Sequence, residues 1–113
     1  MHPDSPKYLW DVQNAAALIE RFVSGRSYED YVSDPMLKSA VERQLEIIGE
    51  ALNALSRRDP ATAEGIPDLA RIVSFRNVLI HGYASVDDKL VWGVVEAKLP
   101  TLRNTITDLL AAS

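Results

Sequence analysis

The chain has 113 residues, with 12 lysines and arginines against 16 aspartates and glutamates, a net charge of −4, two histidines and no cysteine. Its length suits one domain spanning residues 1–113; no cysteine means no disulfide framework or thiolate metal site, and two distant histidines suggest no metal-ligand cluster or cofactor. The acidic balance speaks against a broad nucleic-acid surface, and no apolar run or leader-like start from Met1 to Lys7 suggests a membrane, so a cytoplasmic protein is expected.

Apolar residues recur at helical spacing almost throughout, which predicts an all-α fold. The expected architecture is an up-and-down bundle of four main helices plus a short one. Leu9, Val12, Ala16, Ile19 and Val23 step by three and four along a first helix that ends near Ser24-Gly25. Ser27 to Ser33 reads as a short helical turn or loop carrying Tyr28 and Tyr31 to the core edge.

Asp34-Pro35 has the chemistry of an N-cap followed by proline in the first helical position. Leu37, Val41, Leu45, Ile48, Leu52 and Leu55 then form the stripe of a second helix, the central strut, which Asp59-Pro60 stops. Glu42, Glu46 and Glu50 run along its flank, with Arg43 and Arg57 near enough to pair. A third helix is predicted from about Asp68 to His81, its acidic first residue suiting a helix N-terminus and Gly82 ending it in a left-handed conformation. Asp87 or Asp88 can cap a helix bearing Leu90, Val91, Val94 and Val95. Leu99, Leu102, Ile106 and Leu109 follow in a last one that Pro100 starts or kinks.

The stretch Phe75-Arg76-Asn77-Val78-Leu79-Ile80-His81-Gly82-Tyr83 collects Arg, Asn, His and Tyr in one apolar run. An imidazole titrates near neutrality and a guanidinium forks onto phosphate oxygens, so Arg76 and His81 suit acid/base work on a phosphodiester. Asn77 lies one turn before His81 and is placed to hold a ring nitrogen, while the helix C-terminus favours the imidazolium. Arg76, five residues from His81, lies roughly 140° round a 3.6-residue helix. A lone useful imidazole per chain is awkward for a reaction needing two proton carriers, and a two-fold dimer pairing the third helices would supply the second. The plainer reading makes His81 a helix cap, pairs Arg76 with Glu46 or Glu50, and uses Tyr83 as a lid over the core. Trp10 and Trp92 are then core or dimer-interface anchors.

The spacing Arg76, four residues, His81, one residue, Tyr83 resembles the motif of the HepT-like branch of the HEPN superfamily, the ribonuclease toxins of HepT/MntA toxin-antitoxin pairs. Arg43-Gln44-Leu45-Glu46-Ile47-Ile48-Gly49-Glu50-Ala51 and Val86-Asp87-Asp88-Lys89-Leu90-Val91-Trp92 extend the likeness over nearly the whole chain. This resemblance implies a helical homodimer in which facing motifs cleave RNA without metal, with Arg76 and His81 catalytic. It further implies a partner, an MntA-like nucleotidyltransferase, that transfers AMP onto Tyr83 and so puts phosphate where RNA must enter. The competing reading is a non-catalytic helical module that binds such a nucleotidyltransferase, or a nucleotide, through Arg76 and Tyr83.

Overall fold

Aspartates and prolines set most helix boundaries. In the computed structural model, which describes residues 1–82 and 86–112, the order is α1 (Ser5–Val23), α2 (Tyr28–Ser33), α3 (Pro35–Arg58), α4 (Pro60–Ala63), α5 (Leu69–His81), α6 (Asp88–Gly93), a π-helical stretch (Val94–Lys98) and α7 (Leu99–Ala112). The fold is all-helical over the described residues. After α1 the chain reverses through Gly25, whose φ of 73° favours a residue without Cβ. The Ser27 hydroxyl then accepts the Asp30 N–H at 3.1 Å while the Asp30 carboxylate accepts the Ser27 N–H at 2.9 Å, a reciprocal cap that makes α2 a true helix. Asp34 caps α3 by accepting from the Met36 and Leu37 N–H groups, both at 3.1 Å.

The expected stop at Asp59-Pro60 is present, but it also starts a second short helix, α4, because Asp59 accepts the Thr62 N–H at 3.2 Å. At the other end, Asp87 rather than Asp88 caps α6, and Asp88 instead pairs with Lys38 of α3 at 3.1 Å. Pro100 neither begins a separate helix nor breaks one. It has no N–H for the carbonyl four residues back and its ring crowds that carbonyl, and the helix passes it by widening: the Leu99 N–H donates to the Val94 carbonyl, five residues back.

The apolar stripes of α1 (Leu9, Val12, Ala16, Ile19) and α3 (Val41, Leu45, Ile48, Leu52, Leu55) are buried in one cluster with Leu99, Leu102 and Ile106 near the C-terminus. Each fully buried leucine or isoleucine contributes about 1.5–3 kcal/mol, so this α1–α3–α7 contact dominates stability. Tyr31 belongs to the core rather than its edge, completely buried against Trp92 with ring centroids 5.4 Å apart. Trp10, in contrast, is 57% exposed on α1 and is no core anchor. The shortest principal extent is 18 Å, which accommodates about two helix layers. Within this slab α5 packs mainly on α3, and Leu79 is its one fully buried residue.

Candidate active site

Helix α5 carries the functional run, and its faces are decided by its seat on α3. Ala70, Ser74, Asn77, Val78 and His81 share the exposed side, whereas Leu79 and the half-buried Arg76 turn toward α3. Arg76 can approach so closely because α3 has Gly49 at that point. A Cβ built on Gly49 would overlap the Cβ of Arg76 and lie 3.1 and 3.2 Å from its Cγ and Cδ. The aliphatic stem of Arg76 therefore lies across bare backbone, and its Nε is buried without a hydrogen-bond partner among the described residues.

From this seat the guanidinium comes back to its own helix. Arg76 Nη1 donates to Asn77 Oδ1 at 3.2 Å. This corrects the expectation that Asn77 holds the His81 ring. Asn77 does share the exposed face with His81, but its carbonyl is engaged by the neighbouring arginine, whose stem is pinned sideways on α3. The bond draws the cationic head round toward the His81 face, offsetting part of the angular separation that helical spacing imposes.

The anticipated pairing of Arg76 with Glu46 or Glu50 is also revised. Glu46 faces Arg43 of its own helix at 4.0 Å, and Glu50 lines a groove between α1 and α3 with Lys7, Tyr8 and Asp11. Gly49 and Glu50 are adjacent, hence about 100° apart on the helix, so the residue that receives Arg76 necessarily turns Glu50 elsewhere. Among the described residues no carboxylate forms an ion pair with Arg76.

His81 is the last residue of α5 and is exposed. The predicted left-handed Gly82 is not observed: its φ is −104°, and its N–H closes a last turn on the Val78 carbonyl at 2.8 Å. The glycine is required by space, since a Cβ there would lie 2.8 Å from that carbonyl oxygen. The left-handed residue of α5 is at the opposite end, Asp68 with φ 60°. Its carboxylate does not cap the helix. It accepts from Lys98 at 2.9 Å, and this bond, with the lysine's charge, lowers its pKa. Tyr83 lies outside the described residues.

The residue that sequence reasoning overlooked is Gly49. Its signal was available: a glycine inside a 24-residue helix, where alanine would be favoured, asks for a packing reason. A second unforeseen feature is the group around Tyr31, where Glu42 is held above the usual carboxylate pKa by burial, against the pull of Lys38, with Asp88 and Glu46 adding to the rise.

An all-helical chain with Arg76 and His81 near the open end of one helix, four residues between them, defines a HEPN-type domain. Residues 12–109 match the ribonuclease HepT-like family, and the chain belongs to that family. It is 36% identical over 99 residues to "Putative RNase TTE0752" of Caldanaerobacter subterraneus subsp. tengcongensis, covering 88% of this chain and 87% of that protein. "Probable ribonuclease HepT" of Thermococcus cleftensis is 36% identical over 104 residues, covering 90% and 92% of the two chains. "Putative RNase MJ1380" of Methanocaldococcus jannaschii is 29% identical over 103 residues, covering 91% and 94%. No solved structure matches significantly.

Proposed function

We propose that residues 1–113 form one HEPN-like domain that dimerises through α5 and cleaves RNA endonucleolytically without metal. The observation carrying this reading is the seating of Arg76 with its head drawn toward the exposed His81 face, in a chain of a ribonuclease family. The exposed side of α5 supports the dimer: Val78 is 47% exposed and, with Ala70, Arg71, Ser74 and Phe75, lines an open groove of about 360 Å³. A second α5 laid on this face brings two copies of His81 and two of Arg76 to one cleft.

In such a cleft one neutral His81 takes the proton of a ribose 2′-hydroxyl. The resulting oxyanion attacks the adjacent phosphorus, and the partner subunit's His81, as imidazolium, protonates the departing 5′-oxygen. Arg76 neutralises the charge gathering on the phosphorane oxygens, leaving a 2′,3′-cyclic phosphate and a 5′-hydroxyl. The local guanidinium pair provides the positive pocket that the overall charge of −4 does not. The motif resemblance supports a toxin role and an MntA-like partner that moves AMP from ATP to the Tyr83 hydroxyl with release of pyrophosphate.

The test is cleavage of a defined RNA in the presence of a chelator. Wild type should turn over, and His81→Ala or Arg76→Ala should each lose about 10²- to 10⁴-fold. A dimer mixed from one wild-type and one His81→Ala chain holds a single imidazole in the cleft, so excess His81→Ala chain should suppress wild-type cleavage, and equal cleavage by wild type and His81→Ala ends the assignment. Incubation with the partner nucleotidyltransferase and ATP should add one AMP to wild type and none to Tyr83→Phe.

A further inference from the structure

We propose that Gly49 is a positioning residue for RNA cleavage: the bare backbone it leaves on α3 is the seat that sets where the Arg76 guanidinium stands relative to His81. The proposal rests on the ribonuclease reading of Arg76. Gly49 is buried at the α3–α5 contact, between Ile48 and Leu52, which are themselves buried in the core and oppose rotation of α3. The two atoms that would collide on adding a methyl group, a Cβ at 49 and Arg76 Cβ, are both tied to backbone. No rotamer relieves that overlap. Carbon atoms pack best at about 3.5–4.0 Å, so α5 would have to withdraw by roughly 1 Å.

The withdrawal has a chemical consequence beyond packing. The seated stem keeps Nε buried and delivers Nη1 to Asn77 at 3.2 Å, on the side of α5 that also carries His81. A retracted α5 exposes Nε to water and releases the head from that orientation. A shift of this size in a charge-stabilising group is expected to lower turnover about 10²-fold.

The experiment compares wild type, Gly49→Ala, Arg76→Gly and the double variant, by RNA cleavage, denaturation and solvent exchange of the Arg76 Nε–H in nitrogen-15 NMR. Gly49→Ala should lower kcat about 10²-fold with KM unchanged and accelerate exchange of the Nε–H. In the Arg76→Gly background, where the colliding Cβ is gone, the same change should lower neither the residual cleavage nor the denaturation midpoint. If Gly49→Ala alone does not fold, the double variant should.

Wild-type kcat in Gly49→Ala, an unchanged Nε–H exchange rate, an equal loss in both backgrounds, or a double variant that also fails to fold would each overturn the proposal. A wild-type protein that cleaves no RNA would instead sink the ribonuclease reading and the catalytic role with it. The exchange and denaturation measurements would still decide whether Gly49 seats the Arg76 stem.

Discussion

Asp59 gathers four hydrogen bonds on one carboxylate. The His2 N–H, the Ser5 hydroxyl and the Thr62 hydroxyl donate to Oδ2 at 2.9, 2.8 and 2.6 Å, and the Thr62 N–H donates to Oδ1. One residue thus ties the start of α1 to the α3–α4 corner. These donors, that from the Thr62 hydroxyl foremost, hold its pKa well below the ordinary value of 3.8. A carboxyl whose pKa is lower folded than unfolded stabilises the fold fully above the unfolded value, and loses that contribution as pH falls toward the folded one. Asp59→Asn should therefore lower the urea midpoint at pH 7, since an uncharged amide can accept at only one of the two oxygen positions that now receive donors. The gap to wild type should narrow progressively below pH 3.8. A gap independent of pH from 7 to 2.5 would show that the ionised form is not what matters.

Among the elements, α2 is too short to stand alone. Six residues cannot nucleate a stable helix, so α2 depends on its reciprocal cap and on Tyr31, buried beside Trp92. The Tyr31 hydroxyl is buried without a hydrogen-bond partner among the described residues, and burial, aided by Glu42 and Asp88, drives its pKa upward. Tyr31→Phe keeps the ring contacts and removes the unpaired hydroxyl, so it should raise stability by about 1 kcal/mol. Tyr31→Ala should cost about 3–5 kcal/mol through the cavity left behind. A thermal midpoint that falls for Tyr31→Phe would mean that the hydroxyl has a partner worth keeping. A short helical turn or loop was legible from Ser27 to Ser33, but neither its reciprocal cap nor the depth of Tyr31 was: spacing says which residues share a face, not how far a neighbouring helix covers it.

For the molecule as a whole, thinness is the governing fact. With a short axis of 18 Å the slab can cover α3 from two sides, by α1 and α5, but has no third layer for the outer face of α5. The proposed dimer supplies that layer, so Val78→Glu, introducing a charge on a half-exposed apolar position, should convert the assembly to monomers in sedimentation velocity and abolish RNA cleavage together. Wild type sedimenting as a monomer at the concentrations where it cleaves would exclude the shared cleft. No helix among the described residues is long and apolar enough to cross a membrane.

The four long helical runs, the aspartate caps of α3 and α6 and the apolar stripes of α1 and α3 follow from residue order alone, because capping and periodicity are local and act within a turn or two. So does the placement of Arg76 and His81 on one helix, five residues apart. What residue order leaves open is rotation and approach: which side of α5 meets α3, and how near. Tertiary packing decided that Arg76 lies on Gly49 and that Glu50 faces α1. These are contacts between residues far apart in the chain, set by where two helix surfaces fit, and helical spacing measures angles only about its own axis.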